Sequence, residues 1–161
     1  MRAALNDLAS PTHPFRSSLF HPYPSIPLLI MPTATATFDV TRWDPAEADD
    51  PDEGPQLSRV TVGKTFTGGF EGTGLGDGLF CGMSNPSAGA GYLVSERLIG
   101  QLEGRSGSFV IQHGGLMSPD TLPRTFGNIV PGSGTGELAG LSGTVEIGDG
   151  HTLTLTYELA E

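Results

Sequence analysis

Residues 151–159 read HTLTLTYEL, in which Leu153, Leu155, Tyr157 and Leu159 alternate with polar residues. A period of two places the apolar set on one face and the threonines on the other, which is the pattern of a half-buried β-strand and is incompatible with a helix. TATATFDVTRW (33–43) repeats the pattern with Ala34, Ala36, Phe38 and Val40, and LSRVTVGKTFTG (57–68) does so with Val60, Val62 and Phe66. FEGTG and LFCGM read as short strands. AGYLVSERLIGQLEG (90–104), GSFVIQHGG (107–115), RTFGNIV (124–130) and GELAGLSGTVEI (136–147) read as further strands. About eight strands joined by short turns, with no amphipathic helix, predict an all-β domain. With 24 Gly and 13 Pro in 161 residues, turns and bends are abundant.

The pattern Gly-x-(Phe/Leu)-x-Gly occurs at GGFEG (68–72), GQLEG (100–104) and GELAG (136–140). Glycines four apart in strands suit bends and bulges, where a sheet must coil to close, and they favour a closed antiparallel barrel over an open sandwich. The last repeat lies in GSGTGELAG (132–140). Gly134-x-Gly136-x-x-Ala139 nominally matches a loose dinucleotide fingerprint, but that motif requires a helix after the glycines, and ELAGLSGTVEIG reads as strand. No Lys-Ser or Lys-Thr follows as a P-loop would need. The run is read as a Pro-Gly turn feeding a bent strand.

Residues 1–31 contain Pro11, Pro14, Pro22, Pro24 and Pro27 without sustained periodicity and are expected to form a disordered Pro-rich extension, leaving residues 32–161 as a single barrel domain. Met31, where the β pattern opens, is a candidate start of the gene product. IPLLIM (26–31) is too short for a secretory core and no run reaches the length of a membrane span, so a cytoplasmic location and no membrane are expected. The formal net charge of −10 disfavours nucleic acid as a partner. Six acids and three prolines in DPAEADDPDEGP (44–55) read as a solvated loop, since the oxygens lack the spacing of a calcium loop. Cys81 is alone, so no internal disulfide forms, and its apolar context predicts a buried, inert thiol. His13, His21, His113 and His151 show no ligand spacing, so no metal is expected.

FDVTRWD, KTFTGGFEG, ERLIGQLEGRSGSFVIQHGG and VPGSGTGELAGLSG, spread over about residues 33–160, resemble a bacterial family of small proteins classed as a domain of unknown function, whose fold is similar to the allene oxide cyclase barrel. The chain departs from that family just before PGSGTGEL, where it carries FGNIV in place of an aromatic-rich strand with Trp. The resemblance implies an eight-stranded antiparallel barrel. Its relatives by fold include allene oxide cyclases, dirigent proteins and polyketide cyclases, which act on hydrophobic small molecules without a cofactor. Such relatives form dimers or trimers, so a homo-oligomer is compatible with the fold, although no strand declares an interface by its sequence.

Candidate catalytic residues are Glu96, which shares a strand face with Val94 and Leu98, and His113, which shares one with Phe109 and Ile111. A carboxylate in an apolar cavity is a candidate acid or base, and the bland alternative is an ion pair with an arginine across the sheet. Candidate ligand-binding residues are Trp43, Glu71, Tyr92, Phe109 and Gln112. Trp43 is either a stacking wall or a plug at one end. Gln112 and His113 are neighbours, so only one of them faces the interior. Three functions remain open from the residues: a cofactor-free isomerase or cyclase, a non-catalytic carrier of a lipophilic ligand, and a structural barrel filled by side chains.

Overall fold

The computed structural model describes residues 31–160. The extension expected over residues 1–31 lies outside them, except for Met31. Nine strands run in chain order: β1 (Thr33–Pro45), β2 (Leu57–Gly68), β3 (Phe70–Cys81), β4 (Ala90–Leu102), β5 (Arg105–Ser118), β6 (Thr121–Ile129), β7 (Thr135–Gly136), β8 (Leu141–Gly148) and β9 (Thr152–Leu159). A single 3-10 turn, Pro86–Ala88, interrupts the link between β3 and β4. All pairings are antiparallel. Following them from β1 through β2, β3, β4, β5, β6, β8 and β9 returns to β1, so eight strands form a ring and β7 is an outlying partner of β5.

Three boundaries differ from the sequence reading. FEGTG and the first three residues of LFCGM belong to one continuous strand, β3, because the glycines between them pair in register with β2 and β4 instead of breaking the ladder. Both β5 and β6 extend to meet in a hairpin at Ser118 and Thr121. GELAGLSGTVEI is not one bent strand. After the two residues of β7 the chain turns through Glu137–Gly140 before β8 starts. That turn drives Leu138 fully into the interior, while the Glu137 carboxylate accepts a hydrogen bond from the Ser106 amide at 2.8 Å. GSGTGELAG therefore closes one end of the ring, and no helix follows it to receive a phosphate.

The glycine repeats explain how the sheet curls. Gly72 pairs with Gly100, Gly100 with Gly107, and Gly107 with Gly136, forming one glycine row across β3, β4, β5 and β7. A Cβ on Gly100 would overlap the Glu71 carbonyl oxygen and stand 2.8 Å from the Gly72 Cα. Backbones approach here more closely than side chains permit, which lets the strands coil tightly. The β4–β5 hairpin turns on Glu103 (φ 47°) and Gly104 (φ 82°). Both residues have the positive φ that a two-residue type I′ turn needs.

The alternation seen in the sequence sets the interior. Ala34, Ala36 and Phe38 face inward from β1, and Leu153, Leu155 and Tyr157 from β9. At the end closed by Leu138 the interior is filled by Phe66, Phe70, Leu98, Phe109, Ile111 and Leu141. Phe66, Phe70 and Phe109 stack edge-to-face with successive centroids 5.5 Å apart, in the range aromatic pairs prefer. A smaller apolar group of Val60, Val62, Phe80 and Val94 lies toward the other end.

Candidate functional site

Between the two apolar groups three ionisable side chains meet. Lys64 of β2 donates a hydrogen bond to Glu96 of β4, Nζ to Oε2, at 2.6 Å. His113 Nε2 of β5 lies 3.6 Å from the same oxygen. Glu96 is 0% exposed, His113 5% and Lys64 6%, so all three are withdrawn from water. Lys64 Nζ also stands 4.8 Å from the centre of the Phe38 ring, whose face attracts a cation.

Strand β3 runs between the strands that carry Lys64 and Glu96, and its inward positions here are occupied by glycine. Gly74 is the register partner of Lys64 and of Leu98, and Gly76 is the partner of Val62 and of Glu96. A Cβ on Gly74 would collide with Glu96 Oε1 and stand 2.9 Å from the Phe66 ring. With no side chain on β3 in the way, lysine and glutamate meet across an intervening strand. His113 reaches them from the next strand, since its partner Val94 is two residues before Glu96 on the same face.

Glu96 Oε1 and both ring nitrogens of His113 are buried without a hydrogen-bond partner. Buried polar atoms in folded proteins are paired with few exceptions, and leaving one unpaired costs about 1–3 kcal/mol. Three such atoms in one cluster are a concentrated capacity for a further polar group. The cluster offers a carboxylate oxygen as acceptor, an imidazole as donor or acceptor, and an ammonium that favours negative charge nearby.

Aromatic side chains flank it on the side away from Leu138. The Tyr92 and His113 ring centroids are 5.8 Å apart, edge to face. Tyr92 stacks on Phe80 at 5.8 Å, and Trp43 meets Phe80 edge-on at 5.2 Å. Trp43 is 48% exposed and stands at the rim. A bulge in β1 between Val40 and Arg42 turns Trp43 to the Val62 side.

Burial raises the Tyr92 phenol above its ordinary value of 10.0 by disfavouring phenolate. The folded value exceeds the unfolded one, so the stability contributed is complete below pH 10 and is lost as pH rises through the folded value. Tyr92→Phe is therefore expected to lose less stability on the alkaline side than the wild type, and a phenolate absorbance titration is expected to lose a late-ionising group. An identical alkaline profile for both proteins would contradict this.

Of the sequence candidates, Glu96, His113 and Tyr92 are brought together, with Trp43 at the rim. Glu96 pairs with a lysine and not with an arginine across the sheet. Phe109 is inside but belongs to the filled end, packed on Phe70. Glu71 and Gln112 point outward and are exposed, so they stand apart from the cluster. Cys81 is half-buried, not buried, because it ends β3 on the outer face as the partner of Leu57 and Gly91. Lys64 is the member that sequence reasoning missed. The signal was available: Val60, Val62 and Phe66 alternate on one face, and position 64 has the same parity.

Among the described residues no group of three or more His, Cys, Asp or Glu is placed to hold a metal ion, and no helix is long and apolar enough to cross a membrane. No curated protein matches the chain. A protein of unknown function from the DUF3224 family of Shewanella oneidensis MR-1 has a similar structure, with a TM-score of 0.70 and 37% identity over 81% of this chain and 98% of that one. Residues 34–160 match the family described as "Protein of unknown function (DUF3224)". Because that match spans the whole ring and reaches the cluster on β2, β4 and β5, the chain belongs to the DUF3224 family.

Proposed function

We propose that the ring is a barrel of the allene-oxide-cyclase-like type. In this reading it binds a hydrophobic small molecule at the end bounded by Trp43, Phe80 and Tyr92, and acts on it as a cofactor-independent isomerase or cyclase. The observation that carries this reading is the unsatisfied trio of buried polar atoms on Glu96 and His113, set against apolar walls. Ligand sites of this chemistry are mostly apolar with a few convergent polar groups. The filled end, packed with Phe70, Phe109 and Leu138, confines the ligand to the opposite half.

The geometry supports proton transfer within one bound molecule. Glu96 Oε1 takes a proton from a carbon beside a carbonyl, and the electron pair moves onto the carbonyl oxygen. Lys64 and His113 donate to that oxygen as charge develops on it. Return of the proton to a different carbon completes an isomerisation with no oxidant or co-reactant. The aromatic rim and glycine floor hold the flexible substrate in one conformer.

The test begins with native mass spectrometry of the full chain purified without denaturation, which is expected to show a mass excess that disappears on unfolding. His113→Phe, which removes both ring nitrogens and fills their space, is expected to abolish that excess. Turnover of the identified ligand by wild type and not by Glu96→Gln, with ligand still bound by the variant, would establish the catalytic reading. Binding without turnover by the wild type would leave a carrier. A ligand-free mass, with His113→Phe more stable than the wild type, would mean a structural barrel and overturn the proposal.

A further inference from the structure

The eight Lys and Arg residues of the chain are seven arginines and one lysine, Lys64. Among the described residues Arg42, Arg59, Arg97, Arg105 and Arg124 are all exposed. The chain thus places guanidinium groups in water and its one amine side chain in the interior, 6% exposed.

A counter-ion for Glu96 does not by itself call for that choice. Arginine is the usual cation of buried ion pairs, because its planar fork engages both carboxylate oxygens. The Lys64 ammonium engages Oε2 at 2.6 Å and leaves Oε1 without a partner. What an amine has and a guanidinium lacks is a proton that can be removed to expose a nucleophilic lone pair.

We propose that Lys64 is a covalent binding residue whose Nζ forms an imine with a hydrophobic aldehyde. The inference rests on the carbonyl ligand of the proposed function and changes what Lys64 does to it: the amine bonds to the carbonyl carbon, and the resulting C=N⁺ takes the electron pair that the carbonyl oxygen would otherwise receive.

The groups around Nζ match the steps. Glu96 Oε2 takes one proton from the ammonium it already touches. The amine lone pair bonds to the carbonyl carbon as the carbonyl π pair moves to oxygen. That oxygen receives two protons, the one held by Glu96 and one from the nitrogen, and departs as water while the nitrogen lone pair closes the C=N bond. The products are a protonated imine, water and the regenerated carboxylate, with no oxidant or reductant consumed. His113 Nε2 lies 3.6 Å from the same Glu96 oxygen, and both its ring nitrogens are unpaired, so it is placed to hydrogen-bond the hydroxyl as it leaves. The positive charge stays on Nζ throughout the bound state, beside the Glu96 carboxylate and 4.8 Å from the centre of the Phe38 ring.

A route reaches this nitrogen from the aromatic end. Strand β1 pairs with β9 over residues 33–37, and Phe38 donates its amide to the His151 carbonyl. Beyond Phe38, among the described residues, β1 pairs only with β2. Likewise β6 pairs with β8 only at Asn128. The ring is therefore closed around the Leu138 end and parted between β1 and β6 around the other. Val40, the register partner of Lys64, lies on the parted stretch and is 41% exposed. An aldehyde suits a nitrogen enclosed on its other sides, since one substituent of the carbonyl carbon is only hydrogen, and its apolar tail lies against Trp43, Phe80 and Tyr92.

The test is reductive trapping of the full chain with trans-cinnamaldehyde and cyanoborohydride, which reduces an imine to a stable secondary amine. With one lysine in the sequence, only Lys64 and the N-terminal amine can be trapped, and a peptide map separates them. The folded protein is expected to gain one probe less its oxygen atom on the Lys64 peptide, at least about tenfold faster than the same peptide in guanidinium chloride, because the folded site orients amine and carbonyl. Lys64→Arg is expected to keep the N-terminal adduct alone. Glu96→Gln, which keeps the amine and removes its proton acceptor, is expected to trap at least about tenfold more slowly than the wild type. A folded protein labelled at the N-terminal amine alone, or a Lys64 peptide labelled no faster folded than unfolded, would overturn the inference, and this comparison uses the wild type and does not depend on either variant folding. The two readings fail separately. A ligand released intact on unfolding, from a protein that traps no aldehyde at Lys64, sinks the imine and leaves the proposed function standing. A fast Lys64 adduct on a protein that isomerises nothing supports the imine and sinks the proton transfer.

Discussion

Lys64→Met is expected to destabilise the protein by about 3–5 kcal/mol, the cost of removing one partner of a buried ion pair. The side chains are similar in length, so packing changes little and the loss is electrostatic. Glu96 is 0% exposed, and among the described residues its only hydrogen-bond donor is Lys64. Without the ammonium its carboxylate is left buried with no hydrogen-bond donor among the described residues. The double substitution Lys64→Met/Glu96→Leu removes the stranded charge as well, and is expected to recover most of the loss, since apolar replacement of a whole buried pair is often neutral or stabilising by about 1–4 kcal/mol. Urea unfolding of the wild type and both variants checks this. A Lys64→Met midpoint equal to that of the wild type would show that the pair is not buried as described. A double variant no better than the single one would show that packing, and not charge, set the loss.

Gly100→Ala is the second large effect. The added methyl would meet backbone on the neighbouring strand: the Glu71 carbonyl oxygen, the Glu71 carbonyl carbon at 2.9 Å and the Gly72 Cα at 2.8 Å. A flexible side chain could swing aside, but these atoms belong to the β3–β4 ladder. Relief requires the strands to separate where the glycine row lets them coil. Overpacking a well-packed interior costs about 1–3 kcal/mol, and a clash against backbone belongs at or above the top of that range. The loss is expected in urea unfolding, together with weaker amide-exchange protection in the Phe70–Gly74 and Leu98–Leu102 stretches. Gly104→Ala separates this steric effect from strain. Gly104 has open space around its Cβ direction but a φ of 82°, so that variant is expected to lose only the smaller cost of a turn residue in a left-handed conformation. Equal losses in the two variants would mean that the glycine row is not a close backbone contact.

These two positions mark how far the fold and the site were legible in the sequence. The three Gly-x-(Phe/Leu)-x-Gly repeats were visible as bends, but they do not act alike. Gly72, Gly100 and Gly136 fall in one row because β3, β4, β5 and β7 pair in register, and Gly107, outside the repeat, completes it. The continuous β3 was hidden because its glycines read as breaks. In isolation glycine weakens a strand, whereas between two paired neighbours it lets their side chains meet. The same alternation put Glu96 with Val94 and Leu98, and His113 with Phe109 and Ile111, and those faces are the interior ones. Glu71 and Gln112 were candidates only while inward and outward remained undecided. Lys64 was passed over because a lysine in a strand is ordinarily solvated.

The sequence by itself determined the strand class, most strand positions and which residues of a strand share a face. Each of these follows from the two-residue period of an extended backbone and needs no knowledge of neighbours. Only the tertiary structure decided which face is buried, that Leu138 closes one end, and that Lys64, 32 positions before Glu96, is its ion partner. Those outcomes depend on strand order and register, and register depends on many long-range pairings forming together. The buried pair is the clearest case. Neither charge is stable in an apolar interior alone, and each is tolerated there because glycines at the inward positions of β3 let the other reach it.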